Sequence, residues 1–401
     1  METHIDPGAG LSGLRAANTL PQDGTAGALL ARIWNPAAGG PSPAAVRADG
    51  VYDVSDAFPT VAGLCEEDDP AAALRAAAGI RVGSVDDLLA ATVDRPADPG
   101  AARFLAPVDL QPVKAAGVTF AASMMERLIE ERAQGDPGAA AAIRADLEEA
   151  LGGDLRSLRP GSPEAAEVKR RLVARGAWSQ YLEVGIGPDA EIFTKALPLS
   201  AVGHGSRAGV LRESEWNNPE PEVGLVVSSR GAIVGATLAN DINLRDYEGR
   251  SALLLPKAKD NNASCVLGPF VRLFDGAFGL DDIRSTTVRL EVAGADGFTM
   301  GGESPHGQIS RDPADLVGQL MGDHHQYPDG AVLLLGTMFA PVNDRGRPGW
   351  GFTHHQGDVV RISTPELGTL THEVQHAQDC APWDFGVRAL MTNLARRGLL
   401  R

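Results

Sequence analysis

The sequence contains little cysteine and no long apolar run. Its 401 residues include three cysteines, Cys65, Cys265 and Cys380, without paired spacing. A sparse, odd-numbered set argues against a disulfide framework and a cysteine-based zinc site, and it favours a reducing compartment. No run approaches the roughly 20 apolar residues of a membrane-spanning helix, and the first ten residues, METHIDPGAG, lack the apolar segment of a signal peptide. We therefore expect a cytoplasmic protein that contacts no membrane.

An excess of basic charge is also lacking. The chain carries 36 Lys and Arg residues against 52 Asp and Glu residues, which gives a net charge of -16. This balance excludes the sequence-independent attraction that draws basic proteins to nucleic acid or anionic lipid. The hydrophobic fraction of 43% is ordinary for a globular protein with a substantial core. We expect no nucleic-acid partner.

A complete zinc-protease motif is lacking as well. Residues 372–376 read His-Glu-Val-Gln-His, a pattern that binds zinc when a helix points both histidines at one ion and a third ligand is present. No Glu follows Glu373, and Pro382 stands at the third-histidine position of one zinc-protease class, where it would break a helix. The preceding run, GDVVRISTPELGTL, alternates β-branched and polar residues and turns at Gly368. The pattern predicts strands here and no zinc site.

What is present divides the chain into three parts. Residues 1–103 contain a strand-like piece, AAVRADGVYDVSDA, and a helical piece, VDDLLAATV, and end in the Pro- and Gly-rich RPADPGAARFLAP, which predicts a small α+β domain. Residues 119–182 are helical by their apolar spacing, in the segments SMMERLIEERAQ, AAAAIRADLEEAL and EAAEVKRRLVARGAWSQYL. From about residue 186, short Val, Leu and Ile runs are divided by Gly, Asn, Asp and Pro. Without βαβ alternation, this pattern predicts an antiparallel or mixed β-rich core.

One hairpin is predicted in detail. Residues 222–227 and 232–240 are apolar and are joined by Ser-Ser-Arg-Gly, which is typical of two paired strands. Folding this hairpin about its turn is expected to bring residue 239 or 240 opposite Glu220.

A cluster of carboxylates is predicted at the open end of that hairpin. Glu220 and Glu222 share a face because alternate strand residues point the same way, and Asp241 lies within a residue or two of the pair. Charged residues at a strand end are usually solvated, but three converging carboxylates repel one another unless a cation holds them. Mg²⁺ suits such a site, and Mn²⁺ or Ca²⁺ could take its place.

In order and spacing, a series of motifs resembles the fumarylacetoacetate hydrolase superfamily over most of residues 102–376. The motifs are FLAPVDLQPVKAAGVTF, EIFTKALPLSAVG, EPEVGLVV, ANDINLRD (with Asn243 where Thr is usual), KAKDNNASCVLGPF, LLLGTMFAP and GDVVRISTPELGTLTHEV. The resemblance implies an α+β protein: a mixed β-sandwich roll over residues 104–401, a helical insertion at about 119–182, and a smaller N-terminal domain. It also implies a homodimer or homotetramer, with Glu220, Glu222 and Asp241 as the ligands of Mg²⁺.

The superfamily includes hydrolases of acylpyruvate-like compounds and dehydratases of 2-keto-3-deoxy sugar acids. In both, the metal acts as a Lewis acid on a 2-keto acid, but hydrolysis also needs a base that activates water. The hydrolases of the superfamily carry the motif Gly-x-Asn-Tyr-x-x-His-x-x-Glu. Its His–Glu pair supplies this base. Here the run is GVTFAASMME, with Thr119, Phe120 and Ser123 in place of Asn, Tyr and His. Ser cannot act as a general base at neutral pH, so the departure favours dehydration.

We therefore predict a Mg²⁺-dependent hydro-lyase that converts a 2-keto-3-deoxy-pentonate (xylonate or arabinonate) into 2-oxoglutarate semialdehyde in sugar-acid catabolism. The predicted catalytic residues are Lys259, Glu126 and Ser123, and the predicted substrate contacts are Thr119, Thr337 and Arg245. Lys259 would bind substrate oxygens, or deprotonate C3 if burial and the metal lower its pKa, and Glu126 would protonate the departing hydroxyl. The alternatives are a C–C hydrolase of acylpyruvate- or fumarylacetoacetate-like 1,3-diketo acids and a non-catalytic sugar-acid-binding relative.

Overall fold

The computed structural model describes residues 10–134, 136, 139, 143, 158–174, 178–339, 341, 343–345 and 351–400. The strands within these residues are β1 (Ala28–Asn35), β2 (Gly40–Arg47), β3 (Gly50–Asp53), β4 (Ile80–Gly83), β5 (Arg103–Leu105), β6 (Val113–Gly117), β7 (Glu191–Ala196), β8 (Arg207–Val210), β9 (Asn217–Asn218), β10 (Pro221–Val227), β11 (Ile233–Asp241), β12 (Asn243–Leu244), β13 (Cys265–Leu273), β14 (Thr287–Ala293), β15 (Thr299–Pro305), β16 (Ala331–Leu334), β17 (Val359–Thr364) and β18 (Gly368–His376). The α-helices are α1 (Val61–Cys65), α2 (Pro70–Ala76), α3 (Val85–Asp94), α4 (Ala121–Ala133), α5 (Pro163–Ala174), α6 (Gln180–Ile186), α7 (Arg245–Glu248), α8 (Leu255–Lys259), α9 (Leu280–Ser285), α10 (Pro313–Leu320) and α11 (Val387–Arg396).

Two larger sheets organise these strands. An eleven-stranded sheet has the order β4-β3-β2-β1-β13-β11-β10-β16-β6-β7, with β5 also paired to β1, and a five-stranded sheet has the order β15-β14-β17-β18-β8. Most pairs are antiparallel, but β16 runs parallel to β6 and β18 runs parallel to β8. The predicted α+β class with mixed sheets is therefore confirmed.

The main hydrophobic core lies between the two larger sheets. Val223, Leu225 and Leu238 supply one side of it, and Leu290 and Ile362 supply the other. Each of these side chains is at most 1% exposed, and burying one contributes about 1.5–3 kcal/mol. This apolar layer sets how β10 and β11 lie against β17 and β18.

The N-terminal strands continue the large sheet. Strand β1 pairs with β13 in the register Leu30↔Val271, and β5, which begins at Arg103, pairs with β1. The sheet is thus continuous across residues 103–104, where the sequence predicts a domain boundary, and the division into two domains stays a prediction. The single strand-like piece expected at residues 44–57 is a correction: β2 ends at Arg47 and β3 begins at Gly50, so this piece contains a hairpin.

The helical part begins as predicted. Helix α4 covers most of the predicted segment SMMERLIEERAQ, and its residues Met124, Leu128 and Ile129 pack with Leu182 of α6. The third predicted segment forms two helices, α5 and α6, instead of one. The second segment, AAAAIRADLEEAL, lies mostly outside the described residues. No helix in the described part of the chain is long and apolar enough to cross a lipid bilayer.

The hairpin of β10 and β11 has a different register from the predicted one. Val226 pairs with Gly235 and Val227 pairs with Ile233, so a β-bulge adds one residue to β11. Pro221 consequently pairs with Asn240, and the amide of Asp241 donates to the carbonyl of Glu220 at 3.1 Å. The prediction of residue 239 or 240 opposite Glu220 is wrong, because a sequence pattern does not reveal the bulge. Asp241 itself takes that position.

Candidate active site

Three carboxylates meet at the open end of the β10–β11 hairpin. Glu220, Glu222 and Asp241 each offer an oxygen, and these oxygens lie within 4.8 Å of one another. Their relative exposures are 5%, 2% and 1%, so the solvated strand end that usually explains such residues does not apply. The structure brings these three residues together, as the sequence pattern predicted. Because of the bulge, Asp241 lies closer to Glu220 than it would in the predicted register.

Glu222 has the least favourable environment for a negative charge in this cluster. Burial raises its pKa well above the ordinary value, and the neighbouring charges of Asp241 and Glu220 raise it further. Its Oε2 accepts a hydrogen bond from the amide of Gly336 at 2.7 Å. Gly336 has φ +83°, and a Cβ there would collide with the hydroxyl of Thr119. The turn after β16 therefore requires glycine in order to hold Glu222.

Two buried lysines approach the same carboxylates. Lys259, the last residue of α8, contacts Glu220 and lies 3.1 Å from Oδ2 of Asp241. Lys195 of β7 lies 2.9 Å from Oδ1 of Asp241. Burial alone would raise the pKa of Asp241, but the two lysines outweigh burial and hold the pKa below its ordinary value.

The pKa of Lys259 moves in the opposite direction from the one considered from the sequence. Burial lowers it, but Asp241 and Glu220 outweigh burial and raise the pKa above its ordinary value. These carboxylates thus favour the ammonium form of Lys259, which can donate hydrogen bonds. The predicted base role required burial and the metal together to lower this pKa, so it concerns the metal-loaded site and stays a prediction.

Helix α4 forms the opposite wall of the site. Its Arg127 lies 2.5 Å from Oε1 of Glu220 and 2.7 Å from Oε2 of Glu248. Its Glu126 pairs with Arg245 at 3.2 Å, and the Arg245 guanidinium stacks over Trp216 at 4.4 Å from the ring centre. The helix is thus attached by ion pairs to both the hairpin end and α7.

Most of the residues that the sequence predicted for the site line one cavity, but Thr119 does not. Those in the cavity wall are Ser123, Glu126, Glu220, Glu222, Asp241, Arg245, Lys259 and Thr337. The Thr119 hydroxyl is fully buried and donates to the carbonyl of Leu335 at 2.7 Å. Its predicted substrate contact is therefore replaced by a structural one, in which it holds the turn that carries Gly336.

Ser123 lies in the cavity wall, but its hydroxyl forms hydrogen bonds with the backbone at the start of helix α4. Its hydroxyl donates to the carbonyl of Phe120 at 2.8 Å and accepts from the Phe120 amide at 3.2 Å. The second contact satisfies the Phe120 amide, one of the donors that the first turn of a helix leaves without an intrahelical partner. The position that holds a base in the hydrolase motif thus carries a short capping side chain.

Sequence reasoning missed four charged residues of the site, namely Arg127, Glu191, Lys195 and Glu248. One face of β7 carries Glu191, Phe193 and Lys195, because alternate strand residues point the same way. A strand face with a charged residue at each end was the sequence signal that could have revealed Glu191 and Lys195. Burial raises the pKa of Glu191, against the lowering effect of Arg127 and Lys259. Arg127 gave no such signal, because an arginine is ordinary on the polar face of an amphipathic helix.

The donor set fits a hard divalent cation. Six carboxylates line the cavity (Glu126, Glu191, Glu220, Glu222, Asp241 and Glu248) and three cationic side chains do so (Arg127, Arg245 and Lys259). Oxygen ligands and an excess of negative charge are what Mg²⁺ and its relatives require. The raised pKa of Glu222 points the same way, because a nearby cation would stabilise the ionised carboxylate.

The zinc-protease pattern lies on a strand, as predicted. His372 and His376 are four residues apart on β18, and four strand residues span about 13 Å. Two imidazoles at this separation cannot bind one ion.

Replacing both His372 and His376 with Gln is expected to leave turnover within a few-fold of wild type. The physical reason is that neither imidazole is a metal ligand, and Gln keeps polar atoms near their positions. Elemental analysis should find no stoichiometric zinc in either protein. Stoichiometric zinc in the wild type that disappears in the double variant would contradict this prediction.

Comparison with known proteins identifies the class first. Residues 187–375 match the family of fumarylacetoacetate (FAA) hydrolase C-terminal domains. This segment contains the hairpin, Lys195, Lys259 and α7, so the predicted resemblance is confirmed over these residues.

Two curated relatives have names that specify a reaction. The chain is 31% identical over 185 residues to a 2-dehydro-3-deoxy-D-arabinonate dehydratase of Saccharolobus solfataricus, a match that covers 46% of this chain and 58% of that protein. It is 31% identical over 194 residues to a probable 2-keto-3-deoxyxylonate dehydratase of Haloferax volcanii, covering 48% of this chain and 63% of that one. The chain thus spans less than two thirds of the length of either relative.

A solved structure supports the fold. The structure of 2-keto-3-deoxy-D-arabinonate dehydratase complexed with magnesium and 2,5-dioxopentanoate has a TM-score of 0.59 and 22% identity, and the match covers 87% of this chain and 99% of that chain. The structural match thus extends well beyond residues 187–375.

Proposed function

We propose that this protein is a Mg²⁺-dependent hydro-lyase that removes water from a 2-keto-3-deoxy-pentonate and forms 2-oxoglutarate semialdehyde. The observation that carries the proposal is the buried Glu220–Glu222–Asp241 cluster, which faces α4 where Ser123 stands instead of a histidine base. The names of the two relatives support the reaction class. Both xylonate and arabinonate derivatives are candidate substrates, because the two names differ in this respect.

Glu220, Glu222 and Asp241 would hold the Mg²⁺, which when bound supplies Lewis-acid polarisation of the oxygens of a 2-keto acid. The protein residues supply charge, orientation and proton transfer. Lys259 is suited to donate hydrogen bonds to substrate oxygens, because Asp241 and Glu220 raise its pKa and so favour its ammonium form.

Dehydration removes a proton from C3 and a hydroxyl from C4, which leaves a C3–C4 double bond. Loss of a proton from C5 and its gain at C3 then give an enol, which tautomerises to the aldehyde of 2-oxoglutarate semialdehyde. Glu191 is a candidate for accepting the proton, because a cavity carboxylate with a raised pKa is a stronger base than an exposed one. Glu126 stays the candidate predicted from the sequence for donating a proton to the departing hydroxyl, which it can do only in its protonated form. Arg245 lies 3.2 Å from it. The two carboxyl groups come from different elements, β7 and α4, and both line the cavity.

The test is an assay of metal-loaded protein with 2-keto-3-deoxy-xylonate and 2-keto-3-deoxy-arabinonate, following 2-oxoglutarate semialdehyde. We expect wild type to turn over at least one of them. Lys259→Met should lower kcat by about 10²- to 10³-fold, the usual effect of losing one donor at a developing charge. Lys257→Met is the matched control, because Lys257 lies on the same helix but does not line the cavity. Wild type that dehydrates neither compound would overturn the proposal.

Three further features stay predictions alongside this function. They are assembly as a homodimer or homotetramer, a cytoplasmic location, and substitution of Mg²⁺ by Mn²⁺ or Ca²⁺.

A further inference from the structure

His372, the first histidine of the zinc-protease pattern, lies behind the carboxylate cluster. It is on β18 of the five-stranded sheet and is 0% exposed. Its Nε2 lies 2.8 Å from Nδ2 of Asn240, which is on β11 of the eleven-stranded sheet and is also 0% exposed. This polar contact therefore joins the two sheets.

The same Asn240 side chain holds the first carboxylate residue of the cluster. Its Oδ1 accepts a hydrogen bond from the amide of Glu220 at 2.9 Å. Since Oδ1 faces this donor, Nδ2 faces His372 and must donate to it, so His372 Nε2 is the acceptor. The direction agrees with a neutral ring, because burial, with His354 and His204, lowers the pKa of His372 to about 3.

Glu220 depends on this hydrogen bond because of its neighbours. The local sequence is Pro219-Glu220-Pro221, and proline has no amide hydrogen. Glu220 therefore supplies the only backbone donor in these three residues, at the start of β10. A strand end with so few donors is weakly held by the sheet itself, so the side chain of Asn240 has an unusual share in its position.

The backbone of β18 around His372 is held in place by hydrogen bonds to neighbouring segments. The amide of Thr371, next to His372, donates to Nδ1 of His204 at 3.0 Å, and the amide of Gly205 donates to the Thr371 carbonyl at 2.8 Å. His372 is also paired with Val360 in the ladder between β17 and β18. The backbone that carries the imidazole is thus held from two sides.

We propose that His372 is a positioning residue for the metal site: through Asn240 it fixes the amide of Glu220 and hence the spacing of the three carboxylates. The inference rests on the proposed function in so far as Glu220 is a metal ligand. It assigns a role to one half of a motif that resembles a zinc site, without direct contact between this histidine and the metal. A buried polar pair specifies one arrangement of the two sheets because any other arrangement leaves both groups without hydrogen bonds.

The test is the affinity of metal-stripped protein for Mn²⁺, measured by isothermal titration calorimetry. His372→Leu removes the acceptor and should lower the affinity about 10- to 100-fold, as loss of a partner behind a ligand typically does, whereas His372→Gln should stay within about threefold of wild type. Gln rescues because its Oε1 lies near the place of the imidazole Nε2. His376→Gln is the control, since His376 ends the same strand beside the exposed Arg212 and Gln356.

Two further arrangements keep the result decisive. Circular dichroism compares the folding of all variants, and if His372→Leu does not fold, His372→Asn replaces it, because the shorter amide cannot reach Asn240. Weakened Mn²⁺ binding in these variants with rescue by Gln supports the inference. Wild-type affinity in His372→Leu or His372→Asn, or a Gln variant as weak as Leu, overturns it while the metal site stands. Wild type that binds no Mn²⁺ overturns the proposed metal site and this inference together.

Discussion

Glu222→Gln is expected to lower kcat/KM for dehydration by about 10³-fold or more and to remove tight binding of divalent cations. The change keeps the size of the side chain and removes its charge from the centre of the cluster. A bound cation supplies several kcal/mol of charge stabilisation, and 1.36 kcal/mol corresponds to about tenfold in rate. Because Glu222 is one of three carboxylates whose oxygens lie within 4.8 Å, its loss should disable the whole site.

The fold should not suffer from this substitution. The pKa of Glu222 is raised by burial and by Asp241 and Glu220, so above that raised pKa the ionised carboxylate destabilises the folded state relative to the unfolded chain. Gln carries no charge, and its Oε1 can still accept from the amide of Gly336. The metal-free variant should therefore unfold at the same temperature as metal-free wild type or at a higher one.

The measurements are metal content, thermal unfolding and steady-state kinetics. Glu303→Gln is the matched control, because Glu303 is exposed on β15 and pairs with Arg289 away from the cavity. In wild type, EDTA should abolish activity, and Mg²⁺ or Mn²⁺ should restore it. If Glu222→Gln keeps wild-type activity and metal content, the metal lies elsewhere and the assignment of the cluster is wrong.

The second large effect concerns the choice between dehydration and C–C hydrolysis. Wild type is expected to dehydrate 2-keto-3-deoxy-pentonates and to cleave acylpyruvates very poorly, because Ser123 cannot activate a water molecule. A general base contributes about 10²–10⁴-fold, and a difference of this order is expected between the kcat/KM values of the two substrate classes. A wild-type preference for acylpyruvates would reject the dehydratase function and favour the hydrolase alternative, with the metal site unchanged.

Ser123→His should introduce the missing base. It restores the His-x-x-Glu spacing with Glu126, and residues three apart lie on one helix face. Acylpyruvate cleavage should become measurable, and dehydration should fall because the imidazole is larger than the hydroxyl in the cavity wall. Ser123→Ala is the control for the lost contacts with Phe120, whose removal costs about 1 kcal/mol of stability. Cleavage that appears equally in the Ala and His variants would contradict the role of a base.

Local patterns in the sequence were sufficient to predict the parts of the site that lie on one hairpin. Alternating apolar residues and the Ser-Ser-Arg-Gly turn predicted β10 and β11, and the spacing of Glu220 and Glu222 placed both carboxylates on one face. The same rule of alternation predicted strands just before His372, and the family resemblance placed His372 and Glu373 on or beside a strand. The structure puts both histidines on β18, where they cannot share a zinc ion. These predictions depend on neighbours within a few residues, where backbone geometry decides side-chain direction.

The bulge in β11 was beyond this kind of reasoning. An extra residue at Val226–Gly235 changes the pairing of every later residue by one, but it leaves the alternation of each strand intact. The direction of the Lys259 pKa shift was likewise decided by distance. Its sequence position suggested burial, which lowers a lysine pKa, whereas Glu220 and Asp241 lie close enough to reverse the result.

The sequence by itself determined the strand hairpin, the carboxylate pair on it and the absence of a complete zinc motif. Only the tertiary structure decided which charges complete the site, because Arg127, Glu191 and Lys195 arrive from α4 and β7, outside the hairpin. It also decided that Thr119 holds a turn and that His372 meets Asn240 across two sheets. Contacts between distant segments depend on how apolar faces pack into one core, and packing is a property of the whole chain.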